Sequence, residues 1–338
     1  LPANNPDWLV KKIIKMGGTI SFYDYMNFVL NDPINGYYGS GKAKLGVRGD
    51  FVTSSSLSDD FAFLVGRQIE EWLIQFKSIF LSNQKLAVIE FGAGNGSFMS
   101  GLIKYLLGSS KNFLKGVSFI IIEPNKGMVE KQKNKLEDFL NLGIDILWKG
   151  LEEIEENNIN GIVIANEVLD ALPVERITFS KEKLFRQAVS IDKESDRLSL
   201  DEMPITSELE KSIELAKSEL GITIPPKDAL EGWTTEWHVD NSEWLKALYG
   251  KINNGILLII DYAKEAEKYY TSRNSDGTIV AYKNQKMIPD VLDSPGNCDL
   301  TSHVCVETLI NDAENIGFNT VGITKQGEAL LALGLAER

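Results

Sequence analysis

Three glycines spaced two apart, Gly92, Gly94 and Gly96, follow an apolar run from Leu86 to Ile89 and an acid, Glu90; a helical pattern then opens at Ser97. Glycines at the mouth of a parallel strand let the backbone turn tightly and let a ligand approach with no Cβ in its way. A nucleotide-type cofactor is the expected ligand. The dinucleotide fingerprint is G-x-G-x-x-G, whose amides face a pyrophosphate. Here the third glycine comes one residue early. An acid two residues before the first glycine suits the ammonium and sulfonium charges of S-adenosylmethionine better than a pyrophosphate. A nicotinamide cofactor is the alternative.

A second strand supports the same crevice. Val117 to Ile122 is apolar and β-branched and ends in Glu123, 27 residues past Gly96. A carboxylate there can accept both hydroxyls of a ribose. The competing reading is a strand-end acid capping the next helix, with Pro124 as its first residue. A third apolar strand, Gly161 to Ala165, runs directly into Asn166-Glu-Val-Leu-Asp-Ala-Leu-Pro173. Polar groups at a strand's carboxyl end are where a transferred group meets its acceptor. Asn166 can orient either partner, and Glu167 and Asp170 can pair with a guanidinium, whose planar fork matches a carboxylate. An Asx-type turn with a helix cap would explain the same residues without chemistry. The Asn/Asp-Pro-Pro-aromatic tetrad of an amino-methylating DNA enzyme is absent.

Other candidates surround these. A glycine- and aromatic-rich stretch, from Tyr37-Tyr38 through Asp50 to Thr53-Ser54, reads as a lid or binding loop, with a surface turn as the equal reading for Asp50. Asp261 and Tyr262 end another strand and are candidates for the pocket wall. His303 follows Asp299-Leu-Thr-Ser302 at a helix start, where capping competes with a substrate role. His238 is a weaker candidate, and Cys298 and Cys305 read as packing residues.

The elements that must position these groups alternate: strand 86–90, helix 97–108, strand 117–123, helix 125–140, strand 144–148 and strand 161–166. Such alternation implies an α/β fold with a mostly parallel, doubly wound sheet and ligands beyond the strand carboxyl ends. Residues 1–80 read as a helical N-terminal extension and lid loop, with Thr19 or Ser21 as a helix cap. Residues 81–174 and 251–338 read as the core, and 175–250 as an inserted cover over the strand carboxyl ends. A polar helix is expected over 207–219, an irregular insertion over 262–300, and a helix over 304–316. Closing strands are expected around Thr320–Thr324 and Ala329–Leu333.

The chain has 338 residues and a net charge of −13. That argues against sequence-independent binding to nucleic acid or an anionic membrane, and it favours a cationic acceptor. Two cysteines and two histidines give neither a disulfide framework nor a zinc site. No apolar run approaches the length of a bilayer span. A cytoplasmic protein is expected, or one of the mitochondrial matrix if a leader preceded Leu1.

The pieces Asn31-Asp-Pro-Ile-Asn-Gly-Tyr-Tyr38, Gly49-Asp-Phe-Val-Thr-Ser54, Glu90-Phe-Gly-Ala-Gly-Asn-Gly96 and Asn166-Glu-Val-Leu-Asp-Ala-Leu-Pro-Val174 occur in an informative order. Ile260-Asp-Tyr262, Asp299-Leu-Thr-Ser-His303 and Thr324-Lys-Gln-Gly327 continue it. Together they resemble the MidA-like class I methyltransferases, whose mitochondrial members include a complex I assembly factor that methylates an arginine. The resemblance implies a Rossmann-like class I methyltransferase fold, S-adenosylmethionine as donor and a protein arginine as acceptor. By position it gives Gly92, Gly94, Gly96 and Glu123 to the donor, and Asn166, Glu167 and Asp170 to the acceptor. Ser55-Ser56 replaces the usual Pro-Glu, and Asn284-Gln285 replaces the usual Gly-His, which bears on the acceptor. A low-turnover assembly protein that keeps the fold is the competing class.

Overall fold

The computed structural model describes residues 5–44, 46, 49–50, 59–79, 85–109, 114–192 and 197–338. In chain order the first elements are helix α1 (Asp7–Lys15), strand β1 (Thr19–Ser21), helix α2 (Phe22–Asn31) and helix α3 (Asp59–Ile79). Strand β2 (Leu86–Phe91), helix α4 (Ser97–Ser109), strand β3 (Val117–Ile122), helix α5 (Lys126–Asn141), and strands β4 (Ile146–Lys149) and β5 (Ile159–Asn166) follow. Next come strands β6 (Glu175–Ser180), β7 (Lys183–Ile191) and β8 (Leu198–Pro204), helix α6 (Ser207–Leu220), strand β9 (Thr234–Trp237) and helix α7 (Asn241–Tyr249). Strands β10 (Ile252–Ile260) and β11 (Ala263–Lys264), the short helix α8 (Ala266–Tyr269), and strands β12 (Val280–Lys283) and β13 (Lys286–Ile288) lead on. Strands β14 (Asp299–Thr301) and β15 (Val304–Cys305) and helices α9 (Val306–Ile316) and α10 (Gln326–Ala332) complete the order.

The chain forms two compact units: Leu1–Ala43 with Leu169–Leu245 and Tyr262–Gly317, and Lys44–Val168 with Lys246–Asp261 and Phe318–Arg338. The second holds an all-parallel sheet of order β10-β5-β2-β3-β4. Its inner strands are apolar on both faces, as a sheet covered by helices requires. Val88, Phe119, Ile121, Ile162 and Ile164 join Ile69 and Leu73 of α3 and Phe98, Leu102 and Leu106 of α4 in one core. Strand order reverses between β2 and β5, so a crevice is expected at their carboxyl ends.

The larger sheets of the first unit are antiparallel, and the two-residue strands β11 and β15 pair in parallel. The main sheet runs β1-β7-β6-β9, with β8 on β7, and β1 meets β7 at Thr19↔Ser190. Ser21 caps α2 by accepting from the Asp24 amide at 3.0 Å; Thr19 lies inside β1 instead. Stretch 262–300, expected to be irregular, contains a three-stranded sheet of order β13-β12-β14. Its two-residue turn, Asn284-Gln285, has φ of 51° and 61°, the left-handed pair of a tight hairpin.

One buried cluster organises this unit. Arg176, 2% exposed, donates to Gln187 Oε1 at 2.6 Å and to Asp276 O and Oδ1 at 2.7 Å each. Its Nε lies 3.4 Å from Glu236 Oε1, and Glu236 is fully buried. Glu236 Oε2 accepts from Thr278 N at 2.7 Å and from Thr278 Oγ1 at 3.1 Å. The Tyr269 hydroxyl lies 3.1 Å from that oxygen and 2.9 Å from His303 O, donating to one of them at a time. A Cβ on Gly277, at φ +72°, would stand 2.1 Å from Glu236 Oε1, so only glycine lets the backbone wrap the carboxylate this closely.

The expected closing strands are corrected. Phe318–Lys325 forms no strand, and Val321 is 95% exposed; without a partner ladder, β-branched alternation does not make a strand. Residues 329–332 lie in α10, as their alanines and leucines favour, and the helix stops before Gly334 at φ +97°.

Candidate active site

Register sets the sheet's functional edge. Phe91 faces Ile122 on β3 and Ala165 on β5, so Gly92, Glu123 and Asn166 each stand near the carboxyl end of neighbouring strands. Adjacent strands are about 4.8 Å apart, which spreads the three positions over roughly 10 Å. Gly92, Gly94 and Gly96 have φ of 62°, 52° and 82°, so all three sit where L side chains are strained. The turn is pinned by Gly92 N donating to Ile122 O at 2.9 Å and Gly96 N to Ala93 O at 2.7 Å.

Glu90 lies beneath this turn, 3% exposed, and its Oε2 has no hydrogen-bond partner. Burial pushes its carboxyl up to about 8; the Met99 backbone N–H opposes the shift and the Glu123 charge adds to it. Glu123 Oε1 accepts from Asn125 N at 2.9 Å, and Oε2 accepts from Gln132 Nε2 at 2.8 Å. Burial raises its pKa too, against those hydrogen bonds. Helix α5 starts at Lys126 with Asn125 at its N-cap, so Pro124 is not the first helical residue.

Asn166 ends β5 nearly buried, and its Oδ1 is also without a partner. Glu167 follows at φ +53°, a strained geometry for a glutamate, with its amide donating to Ile260 O at 2.8 Å. Asp261 Oδ2 accepts from Val168 N at 3.2 Å. The second unit thus brings Glu90, the glycines, Glu123, Asn166, Glu167 and Asp261 to one sheet edge. Asp50 belongs to the same unit, buried, with its amide donating to Lys44 O at 2.7 Å. Thr53 and Ser55-Ser56 lie outside the described residues.

The remaining candidates belong to the first unit. Tyr38 donates to Asp299 Oδ1 at 2.8 Å, and burial with the Asp299 charge drives its pKa well up. Asp170 is 5% exposed, and its carbonyl accepts from Ser302 N at 2.9 Å. Ser302 Oγ lies 3.3 Å from His238 Nε2. His303 donates its amide to Thr278 Oγ1 at 2.9 Å, and its ring lies 6.3 Å from that of Tyr262. Burial lowers the His303 pKa, with Lys264 adding to the shift. No cluster of metal-ligating side chains is present among the described residues.

A family model described as "Putative S-adenosyl-L-methionine-dependent methyltransferase" matches residues 64–324. The chain belongs to this family. It is similar to the mitochondrial protein arginine methyltransferase NDUFAF7 homolog of Caenorhabditis elegans, 26% identical over 98% of this chain and 76% of that protein. The human protein arginine methyltransferase NDUFAF7 is 27% identical over 100% of this chain and 76% of its own length. A Burkholderia thailandensis protein crystallised with S-adenosyl-homocysteine superposes with a TM-score of 0.82 at 27% identity, covering 100% of this chain and 85% of that one.

The chain is therefore an S-adenosylmethionine-dependent methyltransferase with a Rossmann-like class I fold, and the nicotinamide alternative is set aside. One buried polar residue that contacts this edge, Gln132 of α5, was not among the sequence candidates. Its signal was a polar side chain at the centre of the buried stripe Met128, Gln132, Leu136, at i, i+4 spacing.

Proposed function

We propose that this methyltransferase modifies an arginine side chain of a partner protein, with Asn166 and Glu167 on the acceptor side. The observation that carries the reading is the polar tip of β5. There a strained Glu167 follows an Asn166 whose Oδ1 is unpaired, next to the glycine turn in strand order. The names of the relatives support arginine in protein as the acceptor, and their mitochondrial assignment favours the matrix over the cytoplasm. No helix among the described residues is long and apolar enough to cross a membrane. Asp170, Tyr38, Tyr262 and His303 belong to the other unit, and the reading rests on none of them.

The residues present fit S-adenosylmethionine. The orphaned Glu90 oxygen is a buried acceptor that a cationic ligand would satisfy, Gly92 and Gly94 leave backbone partly exposed, and Glu123 retains lone pairs for ribose hydroxyls. Bound there, the cofactor supplies an electrophilic methyl group. Glu167 would hold one guanidinium nitrogen and localise positive charge on the acceptor. That matters because a guanidinium pKa of about 12.5–13.8 reflects a delocalised lone pair. The net charge of −13 draws a basic segment toward the protein.

Transfer from tritiated S-adenosylmethionine to arginine-bearing protein, with a lysine-substituted control, tests the acceptor class. Glu167→Gln should lower kcat by about 10²-fold with donor affinity unchanged, since it removes one preorganised charge. Normal turnover by that variant would overturn the assignment.

Glu90 makes donor binding pH-dependent. Folded, it keeps a proton up to about pH 8 that the unfolded chain releases near its ordinary value of 4.5. The folded state binds more protons in that window, so stability falls as pH rises through it. A cationic donor favours the ionised form, so binding expels the proton. Affinity should rise by up to about tenfold per pH unit from pH 6 and level off above pH 8. Glu90→Gln should flatten the profile, whereas a flat wild-type profile by calorimetry would refute the linkage.

A further inference from the structure

Gln132 is fully buried on α5, and every polar atom of its side chain is engaged. Nε2 donates to Gly94 O at 2.9 Å and to Glu123 Oε2 at 2.8 Å, while Oε1 accepts from Trp148 Nε1 of β4 at 3.0 Å. The orientation of the amide is forced. An indole N–H can only donate and a carbonyl can only accept, so oxygen must face Trp148 and nitrogen the other two. The helix backbone is equally close, because a Cβ on Gly96 would stand 3.4 Å from Gln132 Cα.

We propose that Gln132 is a positioning residue for the donor: its amide locks the Gly94 carbonyl and the Glu123 carboxylate into one fixed arrangement, so that Glu123 presents its free lone pairs to the ribose hydroxyls. The inference rests on the donor site described above and extends it to a helix that supplies no residue to the glycine turn. The physical reason is preorganisation. Glu123 has one oxygen held by the Asn125 amide and the other by Gln132, so its plane is set before a ligand arrives. Without Gln132, the carboxylate is held from the Asn125 side alone and can swing away from a diol. Trp148 acts one step further out: deprived of its N–H, the buried Gln132 Oε1 has no donor and the amide loses the anchor on its far side.

The test uses the whole chain, with S-adenosylhomocysteine and its 2′-deoxy analogue as calorimetric ligands. In the wild type, loss of one hydroxyl should weaken binding about 10- to 100-fold, the effect of one hydrogen bond to a charged group. Gln132→Met keeps the volume and loses the bonds; it should weaken S-adenosylhomocysteine binding and shrink the preference over the deoxy ligand to within about threefold. A merely structural role would weaken both ligands by the same factor and preserve the ratio. Trp148→Phe leaves the buried amide in place; it should reduce the same ratio severalfold, and it serves if Gln132→Met does not fold. An unchanged ratio in a folded variant overturns the positioning role. A wild type that binds S-adenosylhomocysteine without discriminating overturns the part given to Glu123 and this inference with it. A wild type that binds neither ligand overturns the donor site itself.

Discussion

Gly94→Val should leave the parallel sheet folded and lower donor affinity by about 10²–10⁴-fold. The glycine sits at φ +52°, a conformation a β-branched residue adopts only with strain of about 1–3 kcal/mol. Crowding by the new side chain adds about 1–3 kcal/mol. Relief requires the turn to move, and the turn's carbonyl is the one Gln132 holds. Calorimetry with S-adenosylhomocysteine reads the loss, and circular dichroism with a melting curve reads the fold. Micromolar binding by a folded variant would remove the glycine turn from the donor site.

The second large effect falls in the other unit. Glu236→Ala removes the buried carboxylate beside the Arg176 guanidinium, leaving only the exposed Asp276 as its counter-ion, and strips the acceptor from Thr278 N and Oγ1. Removing one partner of a buried ion pair costs about 3–5 kcal/mol, because the remaining charge stays desolvated. A melting temperature lower by on the order of 10 °C is expected, with Glu236→Gln retaining part of the loss. An unchanged melting temperature would show that solvent reaches Arg176. Since the same network holds the His303 main chain through Tyr269 and Thr278, local order there should fall with it.

What the sequence disclosed follows a physical division. Strands β2, β3 and β5 were legible because a strand buried on both faces must be a continuous apolar run, and its polar tip then stands out. Glu90, Glu123 and Asn166 were found in that way. Gln132 was hidden because a hydrogen-bond hub spends its polarity on partners distant in sequence, such as Gly94, 38 residues away. The Arg176–Glu236 cluster was hidden for the same reason. Asn284-Gln285 was read only as a departure from the family's usual pair; its place as a hairpin turn depends on the pairing of β12 with β13. Thr320–Thr324 misled because its alternation resembles a strand, whereas a strand exists only with a neighbour to bond.

The antiparallel pairing of β1 with β7 also dictates an order of assembly. Thr19 waits for Ser190, and Tyr25 donates its hydroxyl to Val291 O at 2.9 Å over a sequence separation of 266. At roughly 5–20 residues per second, a ribosome needs about 13–53 s to deliver that second partner. Through that interval the apolar face of α2, with Phe22, Tyr25, Met26, Val29 and Leu30, has been synthesised before the chain that covers it. Such long-range closure slows folding and leaves nascent chains open to aggregation. Expression should therefore respond to chaperone supply and to slower growth temperature more than the parallel sheet alone would suggest.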